Sequence, residues 1–432
     1  MNKLSLLILI ILFVHSCSIN KRQGFWDKDK SNVKKKENIK IALTKQPRKE
    51  QEFNPTLEIK ISKKKLNKSS HNNQNNIGEL YYEGRLEKIG KYKFSKFNDF
   101  NNIDIKPIFY NEQLIFSDNK GAIILYDQNQ KIIWKKNFYS KNEKKLGPRL
   151  NFAIQKNILI VTDNIAKYYA INIETGDIIW SKNNSVPFNS EIKIKDNFFY
   201  IVDYKNILRS ISIKDGSEKW NLKTEESLTK SNTKTSIVIK NKNIYFNNSI
   251  GDITAANLKY GQLLWQLPTQ SNSVSKNAFQ LSNSKLVIEE DSILFSNNKN
   301  EFYSIDILTG LINWKNEISS NLKPVVIGKY VITVSDKGYL YTIDKNNGNI
   351  FRINDLYKNY KIKQRKEIST TGFFIAKNKV YLSNNDGKLI VANFSSGNIL
   401  NITKVSSDKI LHPLINNNHL FMVRNGSIIK FN

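Results

Sequence analysis

The chain has 432 residues, a formal net charge of +29 and a single cysteine. This length is ample for one large domain with its own core. One cysteine excludes an intramolecular disulfide, and the excess of basic residues indicates an anionic partner or surface.

Residues 1–16 predict a secretory signal. Their apolar run, residues 4–14, is too short to remain as a membrane-spanning helix. The sequence Val14-x-Ser16-Cys17 resembles the bacterial lipobox, in which the cysteine becomes the lipidated N-terminus after cleavage. This resemblance implies lipidation of Cys17 and, because no Asp follows the cysteine, transfer to the outer membrane. An ordinary signal peptide with a chance cysteine is the alternative.

Residues 17–79 have the composition of a basic, disordered tether. Between residues 21 and 80 there are 16 Lys and Arg against 7 Asp and Glu, a net charge of +9. A segment that is so charged and so poor in apolar residues cannot bury enough surface to fold alone. The tether would either bind anionic headgroups or act as a solvated spacer. The pair Phe25-Trp26 would lie at the membrane interface or dock on a partner, and both remain open.

The remaining residues, 80–432, repeat one structural unit. Its clearest copy runs from Gly251 to Trp265 as a strand, a polar turn centred on Gly261 and a second strand, which is a hairpin. Successive copies end at positions 134, 180, 220, 265, 314, 351 and 400, and an eighth begins at Gly426. The intervals between these ends, 37 to 49 residues, are typical of four short strands per unit.

Eight such units predict an all-β, eight-bladed β-propeller. A small sheet cannot bury both of its faces alone, and radial closure protects the sheet edges as well as the faces. The eighth unit stops one strand short at Asn432, so a strand from the N-terminal side must complete it. Two candidates remain open, residues 80–89 and residues 91–97. Either would close the ring by pairing the two ends of the propeller domain.

Five tryptophans stand at the ends of hairpins, and we expect them to pack between blades rather than to stack on a ligand. They are Trp134, Trp180, Trp220, Trp265 and Trp314. The sequence contains no nucleophile elbow, no P-loop and no other catalytic constellation. His412 and His419 lack partners at a metal-ligand spacing, so we expect neither a metal nor a cofactor. The export signal and the lack of a recognition motif argue against nucleic acid as the anionic partner.

The segment Tyr169 to Trp180 resembles the repeats of pyrroloquinoline-quinone enzymes, a motif that enzymes and non-enzymes of this propeller superfamily share. The single cysteine excludes the vicinal disulfide that quinoprotein dehydrogenases place over their cofactor. Taken together, the lipobox, the linker and the ring of eight units resemble the BamB family of outer-membrane assembly lipoproteins. This resemblance implies a non-enzymatic, lipid-anchored scaffold that faces the periplasm of a Gram-negative bacterium. Its partners would be the central protein of the β-barrel assembly machinery and, as a second class, unfolded outer-membrane proteins.

The resemblance to the BamB family also implies two partner-binding loops. The first contains Leu228, Thr229 and Lys230, with Lys230 in the place of the family's arginine, and the second contains Asn283 and lacks the family's acidic residues. Because Lys cannot reproduce the forked contacts of Arg, the contact chemistry here departs from the family pattern. Ordinary solvent-facing connections are the alternative for both loops. Two other functions stay open, a quinone-dependent periplasmic oxidoreductase and a propeller that binds cell wall or lipopolysaccharide.

Overall fold

The computed structural model describes residues 50–61, 66–67, 75–226, 233–269 and 281–432. Within these residues, 32 strands form eight four-stranded antiparallel sheets. The eight sheets are the blades of a ring, so the predicted all-β, eight-bladed propeller is confirmed. The predicted signal peptide, Cys17 and the pair Phe25-Trp26 lie outside the described residues.

In blades 1 to 7 the four strands follow the chain from the innermost to the outermost position, whereas the outermost strand of blade 8 is the N-terminal β1. Blade 1 contains β2 (Ile108–Tyr110), β3 (Gln113–Ser117), β4 (Ile123–Tyr126) and β5 (Ile132–Lys136), and blade 2 contains β6 (Leu150–Gln155), β7 (Ile158–Asp163), β8 (Lys167–Asn172) and β9 (Ile178–Asn183). Blade 3 contains β10 (Lys193–Lys195), β11 (Phe198–Val202), β12 (Ile207–Ser212) and β13 (Glu218–Lys223), and blade 4 contains β14 (Ile237–Lys240), β15 (Asn243–Asn247), β16 (Ile253–Asn257) and β17 (Leu263–Leu267). Blade 5 contains β18 (Val287–Glu289), β19 (Ser292–Asn297), β20 (Glu301–Asp306) and β21 (Ile312–Asn316), and blade 6 contains β22 (Val325–Ile327), β23 (Tyr330–Val334), β24 (Tyr339–Asp344) and β25 (Ile350–Asp355). Blade 7 contains β26 (Thr370–Ala376), β27 (Lys379–Asn384), β28 (Lys388–Asn393) and β29 (Ile399–Lys404), and blade 8 contains β30 (Leu414–Asn416), β31 (His419–Arg424), β32 (Ser427–Phe431) and the N-terminal β1 (Lys88–Lys93).

Three short helical turns occur in the described connections: a 3-10 helix at Phe100–Asn102, α1 at Lys141–Lys145 and α2 at Ile362–Arg365. A capping box explains the start of α1. The Ser140 hydroxyl accepts from the Glu143 N–H at 3.3 Å, and the Glu143 carboxylate accepts from the Ser140 N–H at 2.7 Å.

The ring closes through β1, which forms the outermost strand of blade 8. Tyr92 lies opposite Ile428 in an antiparallel pairing of β1 with β32. The closing strand, Lys88–Lys93, therefore overlaps both segments that the sequence left open. A further bond, from the Tyr82 hydroxyl to the Asn432 carbonyl at 2.6 Å, joins the two ends of the domain outside the sheet.

The core lies between the blades rather than inside them. Eight clusters of buried apolar side chains alternate with the eight sheets, and each cluster contains residues of two neighbouring blades. Leu125 of blade 1 and Leu159 of blade 2, for example, belong to the same cluster, and Phe421 of blade 8 and Phe116 of blade 1 share another. Each blade is therefore stable only between its neighbours, which is the physical reason for the ring.

The five tryptophans lie at these junctions. Trp134 donates its indole N–H to the Ile173 carbonyl of the next blade at 2.8 Å, and Trp180, Trp265 and Trp314 donate to the next blades in the same way. Their rings cover a turn glycine of the following blade, as Trp220 covers Gly261. At Gly176 this turn has a φ of 73°, which an L side chain rarely adopts, and an added Cβ would lie 3.0 Å from the Trp134 ring.

In blades 6 and 7 the residue equivalent to the hairpin tryptophan lies one position later than the sequence pattern predicts. Trp314 lies opposite Ser304 just before a register shift, and Arg352 and Asn401 occupy the same place in their hairpins. The predicted ends, Phe351 and Leu400, are therefore wrong. Large apolar residues led the prediction to these two positions, whereas the turn geometry selects the fourth residue after the turn glycine in each of blades 2 to 7.

The described residues before β1 lie against the propeller, and we call residues 51–61, 66–67 and 75–80 the strap. Phe53 and Ile353 of β25 exchange two backbone hydrogen bonds, at 3.1 and 2.9 Å. Ile59 is 2% exposed in the core between blades 6 and 7, and Leu80 is fully buried between blades 7 and 8. The sequence assigns residues up to 79 to a disordered tether, so the structure differs here. A few apolar side chains in this basic segment fill gaps between blades, which average composition does not reveal.

Candidate partner-binding face

Charged side chains gather around one end of the central channel, where the innermost strands begin. We call these residues the channel cluster. They are Asp104, Lys106, Glu191, Lys193, Lys234, Lys285, Lys323 and His412, and they come from six of the eight blades. Most of them stand at or two to three residues before the first residue of an innermost strand. The repeated architecture therefore brings equivalent positions of different blades together.

Several short contacts join the channel cluster across the blades. Lys285 forms a 2.7 Å ion pair with Glu191, and Lys193 lies 3.9 Å from the same carboxylate. The Lys234 ammonium donates to the Asp104 carbonyl and to the Asn151 side-chain oxygen, both at 2.7 Å. Together with neighbouring apolar residues, this part of the cluster lines a cavity with about 450 Å³ of empty space, including the part that is open to solvent.

The channel cluster has more positive than negative side chains, five lysines against two carboxylates. Burial acts to raise the pKa values of Asp104 and Glu191, but the surrounding lysines hold both pKa values well below the usual range, so both groups are ionised. Asp104 is accessible to water inside the channel, although protein surrounds its carboxylate.

The pKa values of the lysines are shifted in different directions. Burial and the charge of Lys285 lower the pKa of Lys106, and burial and Lys193 lower the pKa of Lys323 to about 7. Burial also acts against Lys285, yet Glu191 and Asp104 raise its pKa. Because burial and nearby lysines lower the pKa of His412 well below its usual value, this imidazole is neutral at pH 7. The site is therefore cationic. The lowered pKa values of Lys106 and Lys323 mean that full protonation of its lysines is unfavourable.

The two loops that the sequence analysis singled out enter blades 4 and 5 at the same end of the channel. Leu228, Thr229 and Lys230 lie outside the described residues. Their connection continues into Thr233 and Lys234, and the second connection contains Asn283 and Lys285. The two connections contact each other, since the Asn283 N–H donates to the Thr233 hydroxyl at 3.5 Å and the Leu286 N–H to the Ser236 hydroxyl at 3.0 Å.

Asn283 itself is 8% exposed. Asn283 forms an isolated antiparallel bridge with Asn297. Its role is therefore mainly to support the loop, and little of its surface is available to a partner. The two connections and the channel cluster together define the candidate partner-binding face.

Sequence reasoning missed the channel cluster because its members are far apart in the chain and match no contiguous motif. One signal could have revealed it. Lys106, Lys323 and His412 each precede a proline that opens an innermost strand, at Pro107, Pro324 and Pro413. Superposing the units on these prolines would have placed the three basic side chains at one level of the channel.

Two other kinds of site are absent from the described part of the chain. No three of its His, Cys, Asp and Glu side chains are grouped so that they could hold a metal ion. None of its helices has the length and apolarity needed to cross a membrane.

Comparison with known proteins identifies the class. Residues 119–354 match the family described as outer membrane protein assembly factor BamB. The chain is 21% identical over 303 residues to the protein of that name from Shewanella oneidensis, which covers 67% of this chain and 74% of the relative. A second match, to the BamB of Francisella tularensis, is 30% identical over 83 residues and spans only 19% of this chain and 16% of the relative.

Solved structures agree on the fold. The crystal structure of BamB from Moraxella catarrhalis matches with a TM-score of 0.64 at 14% identity, over 80% of this chain and 99% of that chain. Quinohemoprotein alcohol dehydrogenase from Comamonas testosteroni matches with a TM-score of 0.61 at 10% identity, over 82% and 78% of the two chains. Enzymes and assembly factors thus share this architecture, and the structural likeness alone does not separate them.

The fold therefore defines a propeller built from pyrroloquinoline-quinone-type repeats. Within that class, the match over residues 119–354 shows that the chain belongs to the BamB family.

Proposed function

We propose that this chain is a non-enzymatic, lipid-anchored scaffold of the outer-membrane β-barrel assembly machinery, and that it faces the periplasm. The observation that carries the proposal is the family match over residues 119–354, because it covers most of blades 1 to 6 and both partner loops. Lipidation of Cys17 would hold the propeller at the outer membrane, and the basic tether would connect the two. The scaffold performs no covalent chemistry, and its rigid ring presents loops and edges to other proteins.

The first partner is the central protein of the assembly machinery, which would bind the candidate partner-binding face. The hydrogen bonds between the two connections support this assignment, because they fix Thr233 and Ser236, which follow Leu228 and Lys230 in the chain. The neighbouring channel cluster adds positive charge to the same face. A partner with acidic side chains there is the electrostatic complement of such a face.

The second class of partner, unfolded outer-membrane proteins, would bind the outer edges of the blades by strand addition. Several outermost strands carry, in or directly before them, pairs of apolar side chains that are 40% to 69% exposed. These pairs are Ile132-Ile133, Ile178-Ile179, Leu263-Leu264 and Leu311-Ile312. In blade 6 the strap takes this position, since Phe53 pairs with Ile353 of β25. The chain thus contains its own example of an extended segment on a blade edge.

A crosslinking pull-down from native membranes tests the proposal. The tagged full-length chain should recover the central barrel-assembly protein, and Cys17→Ala should weaken that recovery because the anchor is lost. Recovery of electron-transfer proteins instead, or of no assembly component, would contradict the scaffold function.

The partner face can be tested with a charge reversal in the same assay. We expect Lys230→Glu and Leu228→Ala to reduce recovery several-fold, since a few central residues dominate such interfaces. Lys214→Glu and Leu308→Ala are matched controls, because both residues are exposed at outer hairpin turns. An equal loss with the control variants would argue against this face.

A further inference from the structure

Two connections of the ring contain a short α-helix. The α1 connection, residues 137–149, joins blades 1 and 2, and the α2 connection, residues 356–369, joins blades 6 and 7. Each runs from an outermost strand to the next innermost strand, so the antiparallel order of the strands places both at the end of the ring that carries the partner-binding face. Each lies two blade junctions away from the nearer partner loop. A ligand on the two helical connections therefore leaves both partner loops accessible.

A buried tyrosine fixes the base of each helical connection. The Tyr139 hydroxyl donates to the Asp163 carboxylate at 2.6 Å, and the Tyr357 hydroxyl donates to the Asn384 side-chain oxygen at 2.8 Å. Asp163 and Asn384 are the last residues of β7 and β27, which are equivalent strands of blades 2 and 7. Both connections are thus attached to the blade that follows, and their helical tips are held in place on the surface.

The tips combine an exposed aliphatic side chain with basic neighbours. Leu146 is 65% exposed at the end of α1, and Ile362 is 80% exposed at the start of α2. The basic residues are Lys141, Lys144, Lys145 and Arg149 in the α1 connection, and Lys358, Lys361, Lys363, Arg365 and Lys366 in the α2 connection. Each connection contains one acidic residue, Glu143 or Glu367.

Ion pairs neutralise part of this charge and leave the rest at the surface. Arg149 lies 3.6 Å from Asp99, and Arg365 forms a 2.8 Å ion pair with Asp355. Most of the lysines in the two connections are exposed to solvent. Both tips are therefore cationic through their lysines.

An exposed aliphatic residue at the opposite end of the ring has a different environment. Leu308 is 71% exposed in the turn between β20 and β21, and its N–H donates to the Asp306 carboxylate at 3.0 Å. An aliphatic group next to a carboxylate is not drawn to an anionic surface, whereas one among lysines is. Leu308 therefore provides a matched control for the two tips.

The strap meets the propeller beside the α2 connection. The Asp355 N–H donates to the Glu52 side chain at 3.1 Å, and Asp355 is the last residue of β25. The strap then runs towards the opposite end of the ring, where the Ile59 N–H donates to the Ser395 carbonyl at 3.0 Å. The strap begins 34 positions after Cys17. A lipid on Cys17 would thus be joined to the ring at the end that carries both tips.

The chemistry of the tips suits a membrane surface. Lysine ammonium groups are attracted to lipid phosphates, and a single aliphatic side chain between them can enter the headgroup region. A protein partner is less well matched, because stable protein interfaces bury a continuous core that is depleted of lysine. Two small tips that are separated by three blade junctions offer no such core.

We propose that the α1 and α2 connections form a docking surface for a membrane that contains anionic phospholipids. Leu146 and Ile362 enter the headgroup region, and the lysines around them bind lipid phosphates. The inference rests on the proposed lipid anchor, which brings the ring to the membrane, and adds two contacts that orient it. A lipid at the end of a long tether holds the ring close to the membrane but does not set its orientation.

Site-specific fluorescence tests the contact at each tip. Because Cys17 is the only cysteine of the chain, Ile362→Cys or Leu146→Cys in a full-length Cys17→Ala background gives a single site for an environment-sensitive nitrobenzoxadiazole label. Vesicles of phosphatidylglycerol and phosphatidylcholine should raise the emission several-fold and shift it to the blue at both positions. Vesicles of phosphatidylcholine alone should not. A label on Leu308→Cys should respond to neither.

Vesicle co-sedimentation measures the contribution of the charges. Lys361→Glu combined with Lys363→Glu should weaken binding to the phosphatidylglycerol vesicles at least tenfold, because each basic residue at an anionic surface contributes roughly fivefold in affinity. Lys214→Glu combined with Lys259→Glu makes the same charge change at exposed turns of the opposite end, and it should have a much smaller effect. The basic tether is identical in both variants, so its own attraction to the vesicles does not affect the comparison.

Three results would overturn the proposal: no response of the labels at positions 146 and 362, an equal response at position 308, or equal weakening by the two charge-reversal pairs. Loss of the barrel-assembly protein from the pull-down of Lys361→Glu with Lys363→Glu, while vesicle binding stays unchanged, would assign this surface to an acidic protein instead. Intact vesicle docking without any recovery of that protein by the native chain would contradict the scaffold function alone. Thermal melts of every variant check folding, and we expect no change because the substituted residues are exposed.

Discussion

The guanidinium of Arg352 in blade 6 donates a hydrogen bond to the main-chain carbonyl of Phe394 in blade 7. It also donates to the carbonyls of Ser395 and, at 2.8 Å, of Leu57 in the strap. The residue is fully buried and occupies the position that tryptophan has in five other blades. One side chain therefore links blade 6, blade 7 and the strap. Burial lowers the pKa of Arg352 to about 10, so the guanidinium keeps its charge at neutral pH.

Replacing Arg352 by Met should destabilise the propeller. The substitution removes a donor from the carbonyls of Phe394 and Ser395 in blade 7 and of Leu57 in the strap, and such a loss at a buried carbonyl costs about 1–3 kcal/mol. We expect the free energy of unfolding to fall by about 2–5 kcal/mol in urea titrations. Arg85→Met, at an exposed position, should change it by less than about 0.5 kcal/mol. A stable Arg352→Met variant would show that the interblade role of this residue is weak.

Two substitutions separate the contributions of packing and hydrogen bonding to stability at the tryptophan junctions. Trp134→Phe removes the N–H that donates to the Ile173 carbonyl but keeps an aromatic ring, and it should cost about 1–3 kcal/mol. Trp134→Ala also leaves a cavity between blades 1 and 2, and it should cost about 3–5 kcal/mol. Chemical denaturation of both variants checks the order. Equal costs would mean that packing contributes little at this junction.

Ring closure by β1 predicts a stabilising disulfide. Lys93 and Ser427 are cross-strand partners in β1 and β32, so Lys93→Cys with Ser427→Cys, in a Cys17→Ser background, should form a bond under oxidising conditions. The closed loop exceeds 300 residues, for which the chain-entropy relation predicts about 6 kcal/mol as an upper value. The melting temperature should rise on oxidation and fall again on reduction. The reduced form of the same variant is the control, and no difference between the two would contradict the pairing.

Docking of the strap can be followed at a single amide. The Ile353 N–H donates to the Phe53 carbonyl, and Ile59 anchors the same segment in the core between blades 6 and 7. Ile59→Asp places a charge in that core, so the strap should detach and hydrogen exchange at Ile353 should accelerate at least tenfold. Glu58→Gln, at the exposed neighbouring position, should leave the exchange rate unchanged. Unchanged exchange in Ile59→Asp would show that the strap does not depend on this anchor.

The channel cluster predicts an unusual dependence of stability on pH. The pKa of Lys323 is about 7 in the folded chain, where burial and neighbouring lysines lower it from 10.5, so between these values the unfolded state binds more protons. Stability therefore rises with pH over this window, by at most about 1.4 kcal/mol per pH unit for each such group. Above pH 10 the buried tyrosines reverse the trend, since burial raises the pKa of Tyr92 to about 12.

Urea titrations at pH 7, 8 and 9 without added phosphate measure this slope. Lys323→Met should flatten it, and Lys214→Met should not. A slope that Lys323→Met leaves unchanged would mean that another group causes the dependence.

The sequence by itself determined the number of blades and the strand order within each. Those features depend on contacts between residues close in the chain, such as the turn at Gly261 followed four residues later by Trp265, so they leave a regular local pattern. The family resemblance likewise depended on this repeat, and the family match confirms it.

Only the tertiary structure decided the features that join distant parts of the chain. The register of β1 on β32 and the docking of the strap depend on which apolar side chains fit the gaps at the ring's closure, and Arg352 takes a place where the pattern suggested an aromatic residue. The channel cluster needed the ring as well, because radial closure places six separate loops at one mouth. A charge in an extended chain is fully solvated and interacts weakly with other charges, whereas the same charge beside other lysines in a narrow channel is repelled by them.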